Sequence, residues 1–98
     1  MTTVSVVLTL RITESRSLKD KRAIVRSLVE RLRRRLDVSA AEVGLQDDIR
    51  QAQIGYAVVS GSPAVARGLA EDALRFAEQE LLGRAEIVDV ARDEQALG

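Results

Sequence analysis

Histidine, cysteine and asparagine are all missing from this chain of 98 residues. Without imidazole there is no side chain whose ordinary pKa lies near neutrality, so the commonest general base and nitrogen metal ligand are both excluded. Without thiols there is no disulfide framework, no thiolate metal site and no sulfur redox chemistry. A serine nucleophile would have only Lys19, Lys21 or a carboxylate as its base, and none stands in a recognisable arrangement. The glycines form no phosphate-cradling run. Glu42, Asp47 and Asp48 are the nearest approach to a carboxylate cluster and would suit a hard cation such as Mg²⁺, but loop acids ordinarily face solvent or cap turns. The expectation is a non-enzymatic protein with no metal and no cofactor.

What remains is cationic. Ten of the fifteen basic residues lie between Arg11 and Arg35 against three acids there, and the remainder holds five basic residues against twelve acids. A formal net charge of zero thus conceals segments of +7 and −7. Polyanions respond to local potential rather than to net charge, so the basic segment points to a partner class. At about 100° per residue, Lys19, Arg22, Arg26 and Arg33 run along one flank of a helix, and Arg31, Arg34 and Arg35 continue round its outer face. Lys19, Lys21 and Arg22 crowd its N-terminus, where the helix dipole is already positive. The candidate phosphate-binding residues are therefore Lys19, Lys21, Arg22, Arg26, Arg31, Arg33 and Arg34, and binding through them would weaken steeply with salt. The competing arrangement pairs these arginines with the acids of a second helix, Glu71, Asp72, Glu78 and Glu80.

These side chains must be carried by regular elements. Val4, Val6, Leu8, Leu10 and Ile12 alternate with mostly polar residues, the period-two pattern of a half-buried strand over about 3–12. Ser17 caps a helix with Asp20 as its capping-box partner, and Leu18, Val25, Leu28, Val29, Leu32 and Leu36 make that helix's buried stripe. Residues 37–43 and 53–60 read as strands. Ser62 and Pro63 open a second helix, buried through Val65, Leu69, Leu74, Phe76, Ala77 and Leu81 and ending by Gly83. A last strand covers 85–92, and residues 93–98 are expected to fray. No linker or repeat divides the chain, so residues 1–98 form one domain with an ordered core of about 3–92.

The order β-α-β-β-α-β predicts an α+β, ferredoxin-like sandwich: a four-stranded antiparallel sheet with two helices on one face. With even positions of the first strand inward, Val7, Thr9, Ala41, Ala57 and Val59 fall on the open face, a small-residue surface suited to self-association, with a dimer as the first expectation. RNA-recognition motifs share this order but stack bases on aromatic rings of the central strands, and the only aromatics here are Tyr56 and Phe76. Acylphosphatases also share it but need an asparagine to orient water. The N-terminus lacks a basic stretch ahead of its apolar run, and polar residues break that run, so it reads as a strand rather than a signal or membrane span. Cytoplasmic residence is expected.

The run Ser17-Leu18-Lys19-Asp20-Lys21-Arg22 at a helix start resembles the YlxP-like family of small bacterial proteins. The likeness continues through Arg26-Ser27-Leu28, Arg31-Leu32-Arg33, residues 37–43, Gln46-Asp47 and Gly55-Tyr56-Ala57-Val58-Val59-Ser60. It implies a ferredoxin-like fold and no established reaction. Members are often encoded beside ribosome-maturation and translation-initiation factors, which implies an RNA or ribosome partner. Ile49 stands where relatives often have tryptophan, and Leu36 where they often have phenylalanine.

Overall fold

The alternation of Thr2–Ile12 gives an eleven-residue strand, β1, whose even positions are buried and whose odd positions are not. The computed structural model describes residues 1–98, and after β1 come α1 (Leu18–Arg35), β2 (Ser39–Gly44), β3 (Gln51–Ser60), α2 (Pro63–Glu80) and β4 (Ala85–Ala96). The sheet order is β2-β3-β1-β4, every pair antiparallel. This is the ferredoxin-like arrangement. No helix is long and apolar enough to cross a membrane.

Val4, Val6, Leu8, Leu10 and Ile12 of β1 and Ala52, Ile54, Tyr56 and Val58 of β3 form the floor of one core, covered by Val25, Leu28, Val29 and Leu32 of α1. The second helix departs from expectation in part. Ala77 and Leu81 are buried as expected, but the helix's buried residues are Ala66, Ala70, Ala73 and Ala77, spaced four, three and four apart on one face. Val65 is 52% exposed, while Leu69, Leu74 and Phe76 pack only partly, from the flanks. Larger side chains drew the predicted stripe to the wrong side, whereas the methyl-sized face lets the helix backbone approach the sheet. Tyr56 uses that closeness, donating its hydroxyl hydrogen bond to the Ala70 carbonyl at 2.9 Å.

The C-terminal segment is also corrected. Instead of fraying after residue 92, β4 continues to Ala96, opposite Thr2, and Met1 and Leu97 exchange two backbone hydrogen bonds of 2.8 Å. A bulge lies opposite the Thr9/Leu10 step, where Thr9 faces Asp89 and Leu10 faces Ile87, leaving Val88 as the extra residue. Beyond it, β4 turns Arg92 and Glu94 toward the helix side, opposite buried Val6 and Val4. Arg92 pairs with Glu71 at 2.7 Å, and Arg67 holds Glu94 in a two-point grip at 2.7 Å each. Charge fills apolar positions here because this end of the edge strand reaches past the helix's cover. Hydrogen bonds from Arg92 and Arg67 hold the Glu71 and Glu94 carboxyls below their ordinary pKa.

Burial pushes the Tyr56 phenol up from 10.0 to about 12. Because the folded state retains that proton more tightly, its stabilisation is complete below pH about 10 and is lost as pH rises toward about 12. The chain has one tyrosine and no tryptophan, so phenolate absorbance reports this group alone. Alkaline titration of the folded protein should show no ionisation near pH 10, followed by coincident ionisation and unfolding; reversible ionisation near 10 in folded protein would place the ring in solvent.

Candidate nucleic-acid interface

Helix α1 starts as its capping residues dictate. The Ser17 hydroxyl accepts from the Asp20 amide at 3.1 Å, and Asp20 reaches back to accept from the Arg16 amide at 3.2 Å. The helix then distributes its cations among three environments, only one of which is open to a ligand.

Lys21 is the first environment and a correction. Expected at the surface as part of an anion site, it is 0% exposed. Its ammonium donates to the carbonyls of Leu45 at 2.5 Å and Gln46 at 3.2 Å and lies 3.4 Å from Glu42 Oε2. That oxygen has no hydrogen bond of its own, so the ammonium is its only counter-charge. The signal was present in the spacing: Lys21, Val25, Leu28 and Leu32 follow one another at intervals of four, three and four, so the lysine occupies a position of the apolar stripe. Its aliphatic stem completes the core while its charge ties the β2–β3 turn to α1. Leu45, the turn residue with φ of 56°, is held at this tie.

Arg31 and Arg33 make up the second environment. Arg31 pairs with Glu80 of α2 at 2.6 Å, and Arg33 Nε donates to the Ala40 carbonyl on edge strand β2 at 2.8 Å. Predicted neutralisation by α2 is therefore limited to this one Arg31–Glu80 pair. Glu71 goes to β4, Asp72 pairs with Arg75 in its own helix, and Glu78 makes no ion pair.

The third set is Lys19, Arg22, Arg26, Arg34 and Arg35. All five are exposed, and none has a carboxylate within ion-pair distance. Arg22, Arg26 and Arg33 wall a groove of about 280 Å³ between α1 and β2, floored by Val25, Val29, Ala41 and Glu42. On the outer face Arg26, Arg31 and Arg34 surround a shallow depression that also contains Glu30. The planar guanidinium groups on this surface have the forked geometry that matches phosphate oxygens.

Glu42, Asp47 and Asp48 do not converge on a cation site. Glu42 turns to Lys21, and Asp48 accepts from the amides of Arg50 and Gln51 at 2.8 and 3.0 Å, closing the turn. The open sheet face carries the expected residues. One row, Ala41–Gly55–Val7–Ala91, crosses all four strands, and Ser39–Ala57–Ser5–Asp93 lies beside it. Thr9 receives a hydrogen bond from Gln53 at 3.3 Å, and Val59 is exposed at the face's margin. Gly55 keeps this surface flat, since a Cβ there would meet Val43 at 3.0 Å.

Among solved structures the chain is similar to a de novo designed protein with a ferredoxin fold, at a TM-score of 0.59 and 16% identity, covering 99% of this chain and 88% of that one. A crystal structure from Arabidopsis thaliana aligns at a TM-score of 0.49 and 14% identity over 97% and 95% of the two chains; so loose a likeness carries no argument. The "Uncharacterized protein YlxP" of Bacillus subtilis (strain 168) is 39% identical over 46 residues, 47% of this chain and 50% of that protein, so the match spans half the relative's length. Residues 3–92 match the family model described as "Protein of unknown function (DUF503)". With that match running from the start of β1 into β4, the chain belongs to the DUF503 family, alongside YlxP.

Proposed function

We propose that the protein is a cytoplasmic, non-enzymatic module that binds structured RNA, ribosomal RNA above all, through phosphates rather than bases. The observation that carries this reading is the set of five exposed, unpaired cations on α1, Lys19, Arg22, Arg26, Arg34 and Arg35. Glu80 is held by Arg31 and Glu42 by Lys21, while Glu30, beside Arg26 and Arg34, forms no ion pair with either. Base stacking finds no support, since Tyr56 is 3% exposed and bonded to α2 and Phe76 is a partly buried helix residue. Phosphate contact without base readout entails sequence-tolerant affinity and a steep salt dependence.

The test is binding of a ribosomal RNA fragment at low and moderate salt by the parent and by a Lys19→Glu, Arg22→Glu, Arg26→Glu, Arg34→Glu variant. The parent should lose affinity by roughly tenfold or more between 50 and 200 mM salt, and the variant should not bind measurably. Equal binding by both proteins, or none by the parent, would overturn the reading.

A second reading, self-association through the open sheet face, is favoured by the continuous small-residue row Ala41–Gly55–Val7–Ala91. Such a row lets a second sheet approach closely and bury a contiguous apolar patch. Lysine at both Val7 and Ala57 should convert a dimer to a monomer in sedimentation equilibrium. A monomeric parent at high concentration would remove this reading without touching the first.

A further inference from the structure

The sheet brings together three arginines that the chain keeps far apart. β1 runs out into the loop Thr13–Arg16, and β3 and β4 begin on either side of it, with Arg11 opposite Gln51 and Ile12 opposite Ala85. Arg50 and Arg84 each occupy the residue just before those strands. Both are anchored by the main chain: the Ile12 amide donates to the Arg50 carbonyl at 2.7 Å, and the amide and hydroxyl of Thr13 both donate to the Arg84 carbonyl at 2.9 Å. Their side chains and that of Arg16 are exposed and make no ion pair. Thr13, Glu14, Ser15, Arg16 and Arg50 line an open cleft of about 640 Å³ with no hydrophobic residue in its lining; Arg84 lies to its side, next to Ile24, Leu28, Glu80 and Leu81.

We infer that Arg16, Arg50 and Arg84 form a second phosphate-binding surface, contiguous with the outer face of α1 and taking the backbone of the same RNA. This rests on the RNA reading above and extends it from one helix to the end of the sheet. Arg16 lies three residues before Lys19, so the two surfaces meet at the start of α1. Three nearby acids have other engagements: Glu86 holds Arg11 at 2.6 Å, Asp20 accepts from the Arg16 amide, and Asp48 accepts from the amides of Arg50 and Gln51; Asp47, three residues before Arg50, is exposed and makes no ion pair. Glu14 alone among the cleft residues is a carboxylate, and it makes no ion pair. A fixed backbone removes the cost of ordering a loop, and a planar guanidinium loses less side-chain freedom per hydrogen bond than an ammonium does when it grips phosphate in a forked contact; a polar cleft offers a sugar–phosphate chain nothing to stack on. Arg50 and Arg84 belong to the half of the sequence with net charge −7, so the charge count along the chain hides them.

The experiment measures binding of double-stranded RNA, longer than the about 16 base pairs a double-stranded-RNA domain covers, across a salt series. The proteins are the parent, the four-glutamate α1 variant, an Arg16→Gln, Arg50→Gln, Arg84→Gln variant, and Glu14→Gln. The triple variant should bind at least tenfold more weakly than the parent at moderate salt, with the salt slope reduced by about one for each lost phosphate contact; Glu14→Gln should bind more tightly. Unchanged slope and affinity in the triple variant, while the α1 variant loses binding, would overturn the second surface and leave the first. No binding by the parent would overturn both. The anchoring bonds are to backbone carbonyls, so these substitutions leave them in place. Should the triple variant melt early, the three single variants serve instead: a slope decrement of about one in each supports the surface, and parental slopes in all three refute it.

Discussion

Replacing Lys21 with methionine should destabilise the fold by about 3 kcal/mol, the lower end of what breaking a buried ion pair costs. The lower end applies because Glu42 keeps 22% of its side chain in solvent, which moderates the cost of leaving its carboxylate alone. Methionine reproduces most of the stem's volume, so the loss reports the ammonium: the Glu42 carboxylate and the carbonyls of Leu45 and Gln46 all lose a charged partner. Urea denaturation measures it. The double variant Lys21→Met, Glu42→Leu should recover part of the deficit by removing the stranded carboxylate, though the two carbonyls still lack a donor. A single variant within about 1 kcal/mol of the parent would mean that the ammonium reaches solvent, contrary to its burial. RNA affinity of the folded Lys21→Met protein should match the parent, since an enclosed ammonium has no access to phosphate.

The second large effect is at α2. Ala70→Leu should cost about 3 kcal/mol, at the top of the usual range for overpacking. Ala70 is 0% exposed, and its own carbonyl receives the Tyr56 hydroxyl. Three added carbons force the helix outward and take that hydrogen bond with them. Val65→Leu on the same helix, where the side chain is 52% exposed, should change stability by less than about 0.5 kcal/mol. Thermal or urea unfolding of the pair separates the two faces. Comparable effects at both positions would mean that α2 is not seated on its alanines.

Much of the architecture is legible because its signals are local. The alternation from Val4 to Ile12 needs nothing beyond period two to declare a buried face, and Ser17 and Ser62 cap their helices through bonds spanning three residues. Misreadings arise where residue size or type stands in for position. Alanine weighs little in a hydrophobic stripe, so the reading of α2 reaches Ala77 and Leu81 but misses Ala66, Ala70 and Ala73 in favour of Val65. Lys21 scores as charged, so a stripe position was taken for surface. The expectation of fraying over 93–98 rests on the position of these residues at the terminus, yet strand pairing is made by backbone groups, and Thr2 to Val6 offer them a partner.

The candidate site divides the same way. From sequence alone, the order of elements, the open face of small residues, the absence of histidine and cysteine chemistry, and a basic α1 all follow, because each is a matter of residue type and short-range periodicity. Only the tertiary structure decides which cations remain available. Whether a lysine faces carbonyls, a carboxylate or water depends on what the β2–β3 turn, edge strand β2 and α2 bring within about 4 Å, where charge interactions are decided. Residues 21 to 49 positions away in the chain make those contacts with Lys21 and Arg31. The same folding carries Arg50 and Arg84 from an acidic half of the chain to the end of the basic helix, since antiparallel pairing sets strand ends side by side whatever the charge of the segments that lead to them.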